Sequence, residues 1–231
     1  MDVSPEQIRW ALLYVLILLI SVALHEFGHA FMADRLGDDT PRRQGRVTLN
    51  PLAHADLIGT LVLPLVGSLY GAMTGIGGGF GWGKPVQWQP HRVSRRISMS
   101  TAKILVSVAG PAMNLVLGTA IALVHTILMS QHVVEGMRDG VGYILLVAAI
   151  TNYVLFFFNL LPVPPLDGGH VAQSFLPYRY RNKYAEVGRY APYVLLPLML
   201  IVPQLRVVFL WPAYQVADLV YGGFRHVFGL A

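Results

Sequence analysis

The chain has 231 residues, of which 55% are hydrophobic and 13% are charged, and its formal net charge is +5. This composition excludes an ordinary soluble domain and indicates an all-α polytopic membrane protein, because helices satisfy their own backbone hydrogen bonds in lipid. The absence of cysteine excludes disulfides and thiolate metal ligands. The basic residues cluster in loops between apolar runs, so the positive charge indicates membrane topology rather than nucleic-acid binding.

The first predicted helix covers about residues 4–36, with Ser4 as its N-cap and Pro5 at its first position. If the hydrocarbon begins near Ala11, His25 lies roughly 21 Å deeper, at the usual helical rise. The hydrocarbon core of a bilayer is about 30 Å thick, so His25 is then about 10 Å from the far face. We therefore expect this part of the helix to lie inside the membrane, nearer the side on which the helix ends.

The stretch from His25 to His29 matches the pattern H-E-x-x-H. Residues at i and i+4 share a helix face, so the two histidines can direct their rings at one metal ion. Glu26 is close enough to hold the water that such a metal activates. Ionisable groups at membrane depth are costly and indicate function. The pattern predicts a metal site, provided that a third ligand comes from elsewhere, and the alternative is a chance match that binds nothing.

Two polar connections, with short β-like stretches at 46–49 and 86–88, flank an apolar segment at 57–83. That segment has no charge and many glycines, which fits either a spanning helix or a re-entrant hairpin. The run Gly77-Gly78-Gly79 predicts chain flexibility rather than a phosphate loop. The β-like stretches either pair with each other or offer an edge to an extended peptide.

Four further apolar runs predict membrane helices, at 104–129, 141–161, 190–202 and 207–221. Together with the first helix and the apolar segment, they predict about five to six membrane helices plus a re-entrant segment. One domain is expected to use the whole of 1–231. Its core would cover 4–169, and C-terminal membrane helices would lie within 170–231.

The basic residues favour a re-entrant segment at 57–83. If it enters and leaves on one side, fourteen of the seventeen Lys and Arg residues lie on that side. If it crosses once, the best split is eleven against six. Since basic loops stay in the cytoplasm, we expect the re-entrant arrangement in the cell membrane, with the N-terminus outside and the metal site toward the cytoplasmic side.

Asp167 is the strongest candidate for a third metal ligand. It follows a span that ends on the same side as the first helix, and three prolines end that span before it. Gly168 and Gly169 allow its backbone to approach another helix closely. A catalytic zinc usually has three protein ligands and an open position for water. A turn aspartate that caps the next helix is the alternative, and His54 is the next candidate for the ligand.

The motifs His25-Glu26-Phe27-Gly28-His29 and Asn159…Pro162…Pro165-Leu166-Asp167-Gly168 together resemble those of the site-2 proteases, the intramembrane zinc metalloproteases. Gly110-Pro111-x-x-Asn114 is similar to the family's G-x-x-x-N element. Asn50-Pro51…Asp56-x-x-Gly59-Thr60 and Phe80-Gly-Trp-Gly-Lys-Pro85 look like connections of its short prokaryotic branch, which lacks PDZ and CBS domains. The resemblance covers roughly residues 24–169.

The resemblance implies a zinc metalloendopeptidase with one Zn²⁺ per chain. Its metal ligands would be His25, His29 and Asp167. Glu26 would be the catalytic general base, and Asn114 and Asn159 would help to position the substrate. The implied reaction is hydrolysis of peptide bonds within or near transmembrane segments of single-span proteins, which is regulated intramembrane proteolysis. Implied partners are the lipid bilayer and substrates such as anti-sigma factors or membrane-bound transcription factors, without nucleic acid.

Two other functions compete with this interpretation. A zinc or cation transporter would place acidic or histidine residues on several spans, but the later spans offer only His125 and Asp218 besides Asp167. An inactive relative that acts as a membrane-protein chaperone would not need an intact H-E-x-x-H pattern.

Overall fold

The computed structural model describes residues 4–74, 81–134, 140–201 and 203–230. The regular secondary structure of these residues is entirely helical, which confirms the all-α class. The two β-like stretches do not form strands here, because 46–49 lies in bends and loop and 86–88 has no neighbouring strand. The glycine run at 77–79 lies outside the described residues.

Eight α-helices are assigned in the described part of the chain. They are α1 (Pro5–Arg35), α2 (Thr40–Arg43), α3 (Leu63–Thr74), α4 (Met99–Ser130), α5 (Gly140–Asn159), α6 (Asp167–Phe175), α7 (Tyr178–Ile201) and α8 (Pro203–Val227). A π-helical turn, Leu57–Val62, runs directly into α3. The chain divides into two compact units within α4, the first ending at Gly110 and the second beginning at Pro111.

In the first unit, α1 begins where the sequence predicted. The Ser4 side chain accepts a hydrogen bond from the Gln7 amide at 3.2 Å, and the Gln7 side chain accepts one from the Ser4 amide at 2.9 Å. This reciprocal pair is a capping box, which satisfies two amides that the helix itself leaves unpaired. With 31 residues, α1 is about 46 Å long, more than the thickness of a hydrocarbon core.

The segment at 57–83 returns to its own beginning. The Trp82 amide donates to the Gly59 carbonyl at 3.0 Å, and the Thr60 hydroxyl donates to the Trp82 carbonyl at 2.8 Å. The indole lies so close to Gly59 that a Cβ atom there would overlap the ring, so the contact requires glycine. Because the two ends of the segment meet, the fold favours the hairpin over the spanning helix.

The two polar connections also lie together in this unit. The Asp38 carboxylate is fully buried and accepts hydrogen bonds from the Thr40 amide at 3.0 Å and from the Gln89 amide. The Ser94 amide donates to the Leu36 carbonyl at 2.9 Å. The chain that follows the hairpin is therefore attached to the chain that follows α1.

The second unit is built around close contacts between helices. Its buried core contains four alanines and two tyrosines, namely Ala122, Ala149, Tyr153, Ala213, Ala217 and Tyr221. Small residues allow helix backbones to approach closely. In a membrane, where the hydrophobic effect does not drive helices together, such close van der Waals packing stabilises their association. In this unit α5 packs against α8, and α7 packs against both α6 and α8.

Three described helices, α1, α4 and α5, are long and apolar enough to cross a membrane. A shorter apolar helical segment lies at Leu57–Gly71. The predicted total of five to six spans is therefore not confirmed. The reason lies in α7 and α8, which have 24 and 25 residues but carry charged side chains that lower their hydropathy.

The hairpin arrangement predicts that Gln44 and Gln89 lie on the same side of the membrane. Single cysteines replacing Gln44 and Gln89 should react with an impermeant thiol reagent from the same face of sealed vesicles, because the two connections are hydrogen-bonded to each other. A cysteine replacing Glu6, at the opposite end of α1, is the control and should react from the other face. Reaction of the first two positions from opposite faces would show that 57–83 crosses the membrane.

Candidate metal centre

His25 and His29 lie one turn apart on α1 and face each other, as the i and i+4 spacing predicts. Their Nε2 atoms are 3.0 Å apart, and the two residues are only 8% and 9% exposed. Two nitrogens bound to one tetrahedral zinc, each at its usual bond length, would be about 3.3 Å apart. The pair therefore has the donor atoms and nearly the spacing that a zinc ion requires.

A backbone carbonyl on α4 fixes the orientation of the second ring. His29 Nδ1 is 2.7 Å from the Val106 carbonyl oxygen, so Nδ1–H is the donor. This places the lone pair of the neutral ring on Nε2, the atom that faces His25. Metal-binding histidines commonly have a hydrogen bond of this kind, which fixes the ring and raises its basicity.

Gly110 allows α4 to lie this close to the histidine pair. A Cβ atom at this position would be 2.8 Å from His25 Nε2 and would overlap the ring of His29. Gly110 belongs to the G-x-x-x-N element noted in the sequence. Its role is spatial, because any larger residue would overlap the two rings at their Nε2 atoms.

Glu26 is also buried, at 9% exposure, and its carboxylate is held by an extended segment that follows the hairpin. The Val86 amide donates to Glu26 Oε2 at 3.0 Å. The Gly83 backbone lies against the same part of α1, where a Cβ would be 2.6 Å from a Val22 methyl and 3.1 Å from Glu26 Cγ. The structure thus fixes the direction of a side chain whose position the sequence predicted only approximately.

Arg46, whose pKa is affected by the charge of Glu26, was not identified as a site residue from the sequence. Arg46 is 6% exposed, and its guanidinium donates to the carbonyls of Ala53 and Lys84. Burial lowers the pKa of Arg46, while the charge of Glu26 acts in the opposite direction. Nothing in the sequence distinguishes Arg46 from the exposed Arg43 nearby, because the difference is made by the loop that encloses it.

His54, the reserve candidate for a metal ligand, is fully buried in the same loop. Its Nε2–H donates to the Thr48 carbonyl at 2.9 Å, and its own carbonyl accepts from the Lys84 amide at 2.9 Å. Burial is the main cause that lowers the pKa of His54, and the charge of Arg46 adds to it. These contacts are those of a neutral histidine that supports the loop.

In the second unit, Asp167 is the first residue of α6. The N-cap of that helix is Leu166, so the alternative that Asp167 is the cap is wrong. Gly168 and Gly169 do allow a close backbone approach, but it is to the preceding proline-rich loop. A Cβ at Gly169 would be 2.5 Å from the Pro164 nitrogen.

The two candidate asparagines have separate environments in this unit. Asn114, on α4, is fully buried and donates from Nδ2 to Asn152 Oδ1 at 3.0 Å. Asn152 in turn donates to the Ala148 carbonyl at 2.9 Å. Asn159, the last residue of α5, is half-buried and donates to the Leu155 carbonyl at 2.9 Å. Asn152 was not among the sequence candidates, because a single asparagine in an apolar run gives no indication of its partner.

Comparisons with known proteins agree with these motifs. The model of Peptidase family M50 matches residues 13–141 and 122–202. A Bacillus subtilis protein named "Putative zinc metalloprotease YwhC" is 36% identical over 203 residues, which are 86% of this chain and 84% of that protein. The Mycobacterium tuberculosis protein named "Putative zinc metalloprotease Rip2" is 32% identical over 219 residues, which are 94% of this chain and 78% of that protein.

A further Rip2, from Mycolicibacterium smegmatis, is 34% identical over 189 residues, covering 81% of this chain and 66% of the relative. No solved structure matches the chain. The family model extends over both the histidine pair on α1 and the start of α6. The chain therefore belongs to Peptidase family M50, the site-2 protease family of zinc metalloproteases.

Proposed function

We propose that this zinc metalloprotease is an intramembrane endopeptidase that hydrolyses peptide bonds within or near the transmembrane segments of single-span membrane proteins. The observation that carries the proposal is the buried His25–His29 pair on α1. Its two Nε2 atoms are 3.0 Å apart, and the helix is long and apolar enough to cross a membrane. A zinc-dependent cut at this position requires the scissile peptide itself to enter the membrane.

For the metal ligands we propose His25 and His29 from α1 and Asp167 from α6. Two imidazole nitrogens and one carboxylate oxygen are a common catalytic zinc set, with one position left for water or substrate. Membership of the M50 family supports the assignment of Asp167, as does its place directly after the Asn159–Pro165 motif. His54 remains the next candidate, since its Nε2–H donates to the Thr48 carbonyl and its Nδ1 is left to bind a metal.

The residues of the chain then have defined tasks. When bound, zinc would polarise the peptide carbonyl and lower the pKa of a water molecule to about 7. Glu26 would take the proton of that water and pass it to the departing amine. The Val86 amide occupies Glu26 Oε2, so Oε1 is the oxygen that can accept the proton. Burial of the three α1 side chains excludes bulk water and strengthens these interactions.

Substrate positioning is assigned to Asn114 and Asn159. A transmembrane substrate must unwind near the cut, and its freed amides and carbonyls then need partners. Amide side chains can supply both a donor and an acceptor. We further propose that the chain near Val86 lies alongside the unwound substrate and pairs with it through backbone hydrogen bonds.

We place the enzyme in the cell membrane with its active site toward the cytoplasm and its N-terminus outside, as the distribution of basic residues favours. Suitable substrates are single-span regulators, such as anti-sigma factors or membrane-bound transcription factors. Comparison of membrane proteomes with wild-type and Glu26→Ala protein tests this directly. Single-span fragments should accumulate in cells that carry the variant.

Metal analysis separates the ligands from the base. Purified protein should contain about one zinc ion per chain. Alanine in place of His25, His29 or Asp167 should lower zinc occupancy, whereas Glu26→Gln should keep the zinc and lose proteolysis, because Glu26 is not a ligand. Full zinc occupancy in Asp167→Ala protein would contradict the third ligand.

Gly110→Ala tests the spatial role of α4. The added methyl group should displace the ring of His29 and weaken zinc binding by about ten- to a hundredfold, comparable to the loss of a supporting contact at other zinc sites. Gly222→Ala is the matched control, since nothing lies within 4 Å of a Cβ there, and it should leave zinc binding unchanged. Equal zinc affinity in the two variants would contradict the close approach of α4.

Cleavage should depend on the stability of the substrate helix. Gly and Pro destabilise a helix interior by about 1 and 3 kcal/mol relative to Ala, so either residue next to the cut should accelerate cleavage. The measurement uses single-span substrates in liposomes with Ala, Gly or Pro beside the scissile bond. Equal rates for all three would show that unwinding does not limit the reaction.

A further inference from the structure

The backbone amides of every second residue in 82–86 bond this segment to the rest of the first unit. The amides of Trp82, Lys84 and Val86 donate to the Gly59 carbonyl, the His54 carbonyl and the Glu26 carboxylate, at 3.0, 2.9 and 3.0 Å. In extended chain, amides two residues apart point the same way, so these three bonds lie along one edge. The last of them is the contact that orients Glu26.

Arg46 fastens the middle of this segment. Its guanidinium donates to the Lys84 carbonyl and also to the Ala53 carbonyl, and it thereby ties residues 82–86 to the loop that carries His54. The fork geometry of a guanidinium suits two carbonyl acceptors at once, which a lysine ammonium does not reproduce. The Val86 amide is two residues from this attachment, so its position depends on it.

The burial of Arg46 indicates that this residue has a functional role in addition to supporting the loop. Only 6% of the residue is exposed, and among the described residues no carboxylate is within ion-pair distance of its guanidinium. A buried charge without a direct counter-charge is strongly unfavourable, and such charges are found where function requires them. The carboxylate whose charge acts on Arg46 is Glu26.

We propose that Arg46 is a positioning residue of this metalloprotease, which acts through Lys84 and the Val86 amide to hold the Glu26 carboxylate in its working orientation. This rests on the proposed function in one respect, namely that Glu26 is the general base. Within the first unit, the guanidinium of Arg46 bonds to the carbonyls of Ala53 and Lys84 and not to His25 or His29. Its loss should therefore reduce the rate of the chemical step and leave zinc binding and substrate binding nearly unchanged.

The test compares Arg46→Met, Arg46→Lys and Val86→Pro with the wild type in liposomes. Val86→Pro removes the amide donor, and Val86→Ala, which keeps it, is its control. Arg43→Met is the control for Arg46, because Arg43 is a 55% exposed side chain in a surface ion pair. We expect Arg46→Met and Val86→Pro each to lower kcat by about ten- to a hundredfold, and Arg46→Lys to be intermediate, with KM changed less than about twofold in the two Arg46 variants.

Two further readouts do not depend on activity. Zinc occupancy should stay at the wild-type level in every variant. Hydrogen exchange of the Val86 amide should become about tenfold faster in Arg46→Met and in Glu26→Ala, but not in Arg43→Met. Because Arg46 acts through Val86, the double variant Arg46→Met/Val86→Pro should be no slower than the slower single variant.

The proposal is overturned if Arg46→Met leaves kcat or the exchange of the Val86 amide unchanged, or if its effect multiplies with that of Val86→Pro. It is also overturned if Arg46→Met raises kcat, because the contact with Glu26 would then be inhibitory. Failure of the proposed function has a different signature. In that case Glu26→Gln would cut substrate as well as the wild type, whereas the exchange measurement would still decide whether Arg46 holds the Val86 amide.

Discussion

The hydrogen bond from His29 Nδ1 to the Val106 carbonyl is the contact on which the first unit depends. It joins α1 to α4 at the level of the histidine pair and decides which nitrogen of His29 carries the proton. It can form only if the helices approach closely, and Gly110, one turn further along α4, permits this. The same closeness buries both rings, so they are shielded from water and directed at each other. Two ionisable rings within an apolar helix are unfavourable unless their polar atoms have partners. A metal can bind the lone pair of one ring nitrogen, and a carbonyl such as that of Val106 can accept the N–H of the other.

The hairpin positions the chain that contacts Glu26 on α1. Its two ends meet at Gly59 and Trp82, and the chain that leaves it has a direction set by those bonds. That direction brings Val86 to Glu26. The hairpin, the loop around His54 and the segment at 82–86 form one connected set of hydrogen bonds, with the Glu26 carboxylate at its end. A change near Gly59 can therefore act on Glu26 without touching it.

Much of this fold was predictable, and the physical reasons for the exceptions are specific. The capping residue, the length of α1 and the pairing of His25 with His29 follow from local rules about helix ends and helix faces. The prediction of strands at 46–49 and 86–88 was wrong. The local sequence pattern is that of extended chain, but the backbone groups of these stretches bond to side chains and loop carbonyls rather than to another strand. Arg46 was missed because its burial depends on residues at 53 and 84, and no local pattern reports a contact over that distance. The family motifs, by contrast, were recognisable because they lie at short, fixed spacings.

The asparagines of the second unit illustrate how a membrane helix controls a polar side chain. Asn152 and Asn159 both donate from Nδ2 to the carbonyl four residues earlier, so each amide is held by its own helix. Asn114 instead donates to Asn152, and its orientation is therefore set by a neighbouring helix. Asn114 and Asn152 are nearly inaccessible, whereas Asn159 is half-buried at the end of α5. The bond from Asn159 uses one of its two N–H groups, and its Oδ1 can accept a further hydrogen bond. Of the two asparagines that we propose to position substrate, the half-buried Asn159 is better suited to a direct contact, whereas the fully buried Asn114 is suited to hold α4 against α5.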